Sequence, residues 1–227
     1  MRLKAIAIVA ALVAATPAAA QYGAPEFTWT GFRAGVHTGY FLGTTVDNID
    51  GAPPVAFATN GFFGGMQLGY DQAIGRFVIG IGGEVMLSNI YGDYMTGTHY
   101  GYVDHSLTTT VLGRLGFAFG RTLVYATAGF NFSKVWTGAG ENGMALDEDN
   151  VTFHSGIWPG YGRSIGFGIE RIMSHGISIN IEYRYVYIGD ELISLAPTYP
   201  GDNHFVSIGG HTIRIGITSR FGGWALR

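Results

Sequence analysis

The chain has 227 residues, no cysteine and a formal net charge of −3 at pH 7. The lack of cysteine excludes disulfide bonds and a lipid-anchored cysteine, and the negative charge argues against a nucleic-acid partner. Glycine is frequent, with 37 residues, but an aromatic content of 14% excludes a disordered chain.

Residues 1–20 are predicted to be a secretory signal peptide. Arg2 and Lys4 give a positive start, residues 5–15 are apolar, and small alanines precede Gln21. The apolar run is shorter than the ~20 residues that a transmembrane helix needs. Residues 21–227 then form one domain with 16 acidic and 11 basic side chains.

The domain shows the two-residue alternation of β-strands that are apolar on one face. The clearest case is residues 211–221, where Ile213 and Ile215 alternate with Thr212 and Arg214. We predict eight strands, at residues 28–41, 62–72, 77–88, 106–119, 123–136, 161–171, 177–187 and 211–221. Most are close to the ~9–11 residues that a tilted strand needs to cross a bilayer.

The predicted connections alternate in length. Short ones lie at residues 73–76, 120–122 and 172–176, and long ones lie at about 42–61, 89–105, 137–160 and 188–210. Short periplasmic turns and long external loops are typical of outer-membrane barrels. The sequence therefore predicts an all-β, eight-stranded, antiparallel up-and-down transmembrane barrel in the cell outer membrane.

The face opposite the apolar one collects charge, and we predict that it forms a network inside the barrel. Its members are Arg33, Asp71, Glu84, Arg114, Glu170, Glu182, Arg184, Arg214 and Arg220. An eight-stranded barrel is just wide enough for side chains to fill it, and a buried unpaired charge costs several kcal/mol. We expect the charges to pair and to plug the interior, with Glu84 or Glu170 as the partner of Arg114.

Six segments, in this order along the chain, resemble strands of the porin-like or opacity-type family of small outer-membrane barrels. They are residues 29–32 (WTGF), 64–70 (GGMQLGY), 111–116 (VLGRLG), 166–170 (GFGIE), 182–185 (EYRY) and 214–217 (RIGI). The resemblance implies a surface antigen or structural protein of the outer membrane. The chain departs from the family pattern at Arg33, Gly82 and Leu112, where the family usually has Tyr, Glu and Arg.

The family chain usually ends on an aromatic residue that the barrel-assembly machinery reads. Here Phe221 has that place, but residues 222–227 follow it and include Trp224. The resemblance implies that this machinery is a partner, together with outer-membrane lipid and lipopolysaccharide, and a monomer is favoured.

No catalytic pattern is evident, and neither an enzymatic activity nor a cofactor is expected. A lipid deacylase of the serine–histidine type has the motif His-x-Ser, which this chain lacks. His105 and Ser106 are adjacent, as are His154 and Ser155, so on a strand each pair points to opposite faces.

The long connections carry eleven carboxylates, no lysine or arginine, and the weak metal-ligand candidates His99, His105, His154 and His204. Their spacing matches no metal motif, so a solvated surface is favoured and no metal site is assigned.

The sequence indicates a structural, surface-exposed barrel with a largely plugged interior. The alternatives are a narrow passive pore for small solutes and a loop-mediated binder of cations or haem, or an adhesin.

Overall fold

The computed structural model describes residues 28–49, 53–96, 99–141, 160–174, 176–194 and 203–221. Its strands are β1 Gly31–Ile49, β2 Val55–Ile74, β3 Phe77–Thr96, β4 His99–Phe119, β5 Thr122–Glu141, β6 Gly160–Ser174, β7 Ile177–Ser194 and β8 Asn203–Phe221. Each strand pairs antiparallel with the next, and β8 pairs with β1 to close the barrel. The predicted eight-stranded antiparallel barrel is confirmed. The predicted signal peptide lies outside the described residues.

No helix long and apolar enough to cross a membrane occurs in the described ranges.

Three tight turns, the start of β1 and the end of β8 lie at the same end of the barrel. Gly75, Gly120 and Gly176 have φ values of 62°, 58° and 75°, the left-handed conformation that glycine adopts without strain. The turns between β2 and β3 and between β4 and β5 have only two residues each. Because outer-membrane barrels carry their short turns on the periplasmic side, we call this the periplasmic end and the opposite one the external end.

At the external end the strands are longer than predicted. Residues 89–105 were expected to form a loop, but β3 and β4 continue through this region and leave only residues 97–98 between them. The ladder persists there, with Tyr91 paired to Asp104. The prediction was wrong because outward apolar residues mark only the part of a strand that faces lipid. The ladder continues past that part at polar residues such as Asn60, which pairs with Tyr91, and Asp93, which pairs with Tyr102.

The outside of the barrel carries an apolar belt bounded by charge. On β6 the outward side chains of Ile165, Phe167 and Ile169 are 64%, 63% and 55% exposed, and Arg163 and Arg171 flank them at the two edges. A closed barrel that exposes such a belt all round has a lipid-facing surface. The protein is an integral outer-membrane β-barrel.

The belt predicts how strongly a charge should destabilise the barrel at different depths. Ile181 lies at mid-belt, paired with Ile169 and Ile215, whereas Ile177 begins β7 at the periplasmic edge. Ile181→Arg should lower the free energy of unfolding by roughly 2–4 kcal/mol, and Ile177→Arg by about 0–1 kcal/mol. Denaturant unfolding in lipid vesicles, followed by tryptophan fluorescence, measures both. Equal losses at the two depths would contradict this position of the belt.

Candidate functional site

The candidate site is the charged lumen, because all nine side chains predicted for the interior network lie there. Their ion pairs divide them into two clusters. The upper cluster, nearer the external end, consists of Glu84, Glu182, Arg184 and Arg214. The lower cluster, nearer the periplasmic end, consists of Arg33, Asp71, Arg114, Glu170 and Arg220.

The upper cluster is centred on the carboxylate of Glu84. Arg184 donates from Nη1 to its Oε2 at 2.9 Å, and Arg214 donates from Nη2 to its Oε1 at 2.6 Å. Glu182 accepts from Arg184 Nε at 2.8 Å. Two arginines thus face two carboxylates, and all four side chains are buried. The forked geometry of guanidinium lets one arginine bind two carboxylates at once.

The lower cluster contains three arginines and two carboxylates. Asp71 is ion-paired with Arg220 Nη2 at 2.9 Å and accepts a hydrogen bond from Arg33 Nε at 3.2 Å. Glu170 pairs with Arg114 at 2.5 Å and with Arg220 at 3.0 Å. Within the described residues Arg33 is ion-paired to no carboxylate other than Asp71. The lower cluster therefore carries one more positive charge than negative charges.

The register of the strands explains why Arg114 pairs with Asp71 and not with Glu84. Asp71 on β2 is paired with Gly80 on β3, and Gly80 is paired with Arg114 on β4, so these three positions form one row. Glu84 lies four residues further toward the external end of β3. Of the two partners that the sequence suggested for Arg114, only Glu170 is in contact.

Glycines in the lower lumen make room for this network. A Cβ atom at Gly82 would lie 2.7 Å from Nη2 of Arg33, and one at Gly69 would lie 2.8 Å from the same atom. The guanidinium of Arg33 thus occupies the space above two residues without side chains. A side chain at either position would require this guanidinium to move.

Apolar side chains close the lumen below and above the charged clusters. The lower layer is Trp29, Val78, Ala118, Leu123, Tyr125 and Ile172. The upper layer is Phe41, Phe57, Phe63, Ile90, Val103, Ile188, Val206 and Ile208. Neither layer was predicted from the sequence, although continued alternation from Glu84 or Arg214 along the same strands places Val78 and Ile208 on the inward face.

Trp29 links the lower apolar layer to the lower charged cluster above it. Its indole Nε1 donates to the carbonyl of Gly120 at 3.0 Å, and its ring lies 4.6 Å from the guanidinium carbon of Arg220. The side chain is only 4% exposed. A residue that precedes β1 thereby covers the lower cluster from the periplasmic side.

The rim histidines do not form a site in the described structure. His105 was expected in an external loop, but it lies on β4 and its imidazole is buried in the lumen at 4% exposure. His99 and His204 belong to β4 and β8, but their side chains, like the whole of His154, lie outside what the structure describes. Among the described residues no group of three or more His, Asp or Glu side chains could hold a metal ion.

One of the carboxylates predicted for the external loops also lies inside the barrel. Asp47 is buried on β1 and accepts a hydrogen bond from the Tyr94 hydroxyl at 3.0 Å, beyond the external edge of the belt. Burial, and then the neighbouring Asp47 carboxylate, raise the pKa of the Tyr94 phenol. The phenol therefore stays a proton donor at physiological pH, and this pair belongs to the lumen and not to an exposed acidic rim.

No protein-family model matches the chain, and no curated protein matches it in sequence. Among solved structures, Neisserial surface protein A is 13% identical, with a TM-score of 0.46 over 85% of this chain and 98% of that one. OprG from Pseudomonas aeruginosa is 11% identical, with a TM-score of 0.46 over 85% and 97%. The outer membrane protease OmpT from Escherichia coli is 8% identical, with a TM-score of 0.42 over 88% and 99%. These values assign no function.

The charge balance of the two clusters predicts unequal effects of removing an arginine. Arg214→Met leaves two carboxylates facing one arginine in the upper cluster, and the free energy of unfolding should fall by roughly 3–5 kcal/mol. Arg33→Met leaves the lower cluster with two arginines and two carboxylates, so its loss should be clearly smaller. Both variants delete the same group, which makes each the control for the other in denaturant unfolding. A larger loss for Arg33→Met would contradict the proposed balance.

Proposed function

We propose that the protein is a structural, surface-exposed barrel of the outer membrane whose lumen is closed to solutes. The observation that carries this proposal is the stack of four layers inside the barrel: the lower apolar layer, the two charged clusters and the upper apolar layer. The apolar side chains of each apolar layer pack together, and the ion-paired side chains of the charged clusters are at most 6% exposed. Paired charges of this kind favour a plugged interior over a water-filled one.

A narrow passive pore is the rival that the structure supports less well. Of two cavities in the described lumen, the larger has a volume of about 50 Å³, and Arg184 and Arg214 form its floor. The smaller has a volume of about 10 Å³ and lies between the two charged clusters. A cavity of that size holds about one water molecule, which is too little for a continuous aqueous path.

Conductance separates the two candidates. The wild-type protein, inserted into planar bilayers, should give no stable single-channel steps. Insertion can be verified on the same preparation, because a closed barrel should migrate differently in SDS gels before and after boiling. Reproducible steps from protein that shows this mobility change would overturn the closed-lumen proposal.

We propose no enzymatic role. His105 and Ser106, the adjacent pair that the described residues include, lie on opposite faces of β4, with His105 inside. A nucleophile and its base must come within hydrogen-bond reach, and these two side chains diverge.

We further propose that lipopolysaccharide is the lipid partner at the external edge of the belt. Arg163 is exposed there, with its guanidinium carbon 5.4 Å from the centre of the Tyr187 ring, and Lys134 is the single lysine after residue 20. Both side chains point outward on neighbouring strands β5 and β6. Cations at this height suit the phosphates of the outer leaflet, and tyrosines suit the interface.

A matched pair of double variants tests this partner. Replacing both Arg163 and Lys134 by Gln should weaken binding of purified lipopolysaccharide by about 2 kcal/mol, or roughly thirtyfold, because each cation near an anionic surface contributes about 1 kcal/mol. Replacing Arg121 and Arg171 by Gln removes two outward charges at the periplasmic edge and should leave this binding unchanged. Equal weakening in both double variants would mean that binding depends on net charge and not on the position of these cations, which would contradict the proposal.

A further inference from the structure

A cavity lies in the lumen between the upper charged cluster and the upper apolar layer. Its volume is about 50 Å³, which is room for roughly four water molecules. Arg184 and Arg214 form its floor. The strand order places β4 and β5 across the barrel from β8 and β1, so the cavity has two unlike walls.

One wall is apolar and the other is polar. Phe41, Phe63 and Ile208 line the cavity from β1, β2 and β8. His105 and Asn131 line it from β4 and β5. Water held against the apolar wall has few hydrogen-bond partners there, so a ligand with a hydrocarbon end gains by displacing it.

The polar wall contains buried groups that the described protein does not satisfy. Nε2 of His105 and Nδ2 of Asn131 have no hydrogen-bond partner, although the two residues are only 4% and 2% exposed. The other amide atom of Asn131 contacts the hydroxyls of Thr110 at 2.9 Å and Ser164 at 3.3 Å, so either orientation of the amide leaves one polar atom unpaired. Unsatisfied buried polar groups are rare in folded proteins and call for a partner.

We propose that this cavity binds a short-chain carbonyl compound of about four to six heavy atoms, either a carboxylate or a carboxamide. The carbonyl oxygen would accept from the amide of Asn131 and from a protonated Nε2 of His105, and the hydrocarbon chain would lie against Phe41 and Ile208. The proposal goes beyond a structural role, because a lumen closed to flow still holds a specific site.

The size of the cavity limits the affinity. A ligand of about six heavy atoms reaches a dissociation constant of the order of millimolar when it is well but not ideally matched. Butyrate and butyramide are suitable probes, since both have six heavy atoms, dissolve well and differ in charge. Butylamine has nearly the same length but carries a cationic donor in place of the carbonyl acceptor.

The experiment is a titration of the folded protein in detergent micelles, followed by NMR of isotope-labelled histidine. The His105 resonance is assigned by its loss in His105→Leu. We expect a saturable shift of this resonance with butyrate, with butyramide or with both, and none with butylamine. A response to only one of the two carbonyl probes identifies the preferred head group. No saturable shift with either at concentrations well above the millimolar range would overturn the proposal, and so would equal binding of butylamine.

Three variants locate the site. Ser133→Leu fills the cavity from β5 and should abolish the shift, and Val186→Phe fills it from β7 and serves if the first variant does not fold. Asn131→Leu should weaken binding by about tenfold, the effect of one lost hydrogen bond. Thr109→Leu adds bulk on the outer face of the same strand as Thr108 and should bind like the wild type. Undiminished binding in a folded cavity-filling variant would show that the probe binds elsewhere, which would overturn the assignment.

Discussion

The structure depends on contact between opposite charges in the two lumenal clusters. A guanidinium or carboxylate inside an eight-stranded barrel has lipid-facing strands around it and little water beside it, so its electrostatic cost is removed only by a partner in contact. Glu84 illustrates the solution, because two arginine forks meet its two oxygens at 2.6 to 3.3 Å. The choice of arginine over lysine follows from this geometry, since a point charge cannot bind two carboxylates in a fork.

This pairing organises the lumen into layers. The charged clusters occupy the middle, where strands from all sides contribute, and apolar residues close the lumen at both ends. Trp29 and the carbonyl of Gly120 join the lower layer to the turn between β4 and β5, so the periplasmic end is held by contacts far apart in sequence. The layering limits water access to the clusters, which strengthens each ion pair by lowering the local dielectric.

The sequence was sufficient to predict the fold, because a two-residue alternation repeated over eight segments with turns of alternating length is typical of membrane barrels. Strand ends at the external side were not predictable in this way. The outward residues of β3 change from Leu87 to Asn89 at the edge of the belt, while the hydrogen-bonded ladder continues to Thr96. The alternation also shows that Glu84 and Arg214 face inward, but it contains no information about which charges meet.

The pairing of charges is set by the shear of the barrel and by the space that glycine leaves. Asp71 and Arg114 lie in one row with Gly80 between them, and a Cβ atom at Gly80 would collide with the carboxylate of Asp71. The same rule applies to Arg33, which extends over Gly69 and Gly82. The place of a charged group in this lumen thus depends on the space that neighbouring glycines leave as much as on the position of its own residue in the strand. Replacing a lumenal glycine should therefore alter an ion pair, even though glycine carries no charge itself.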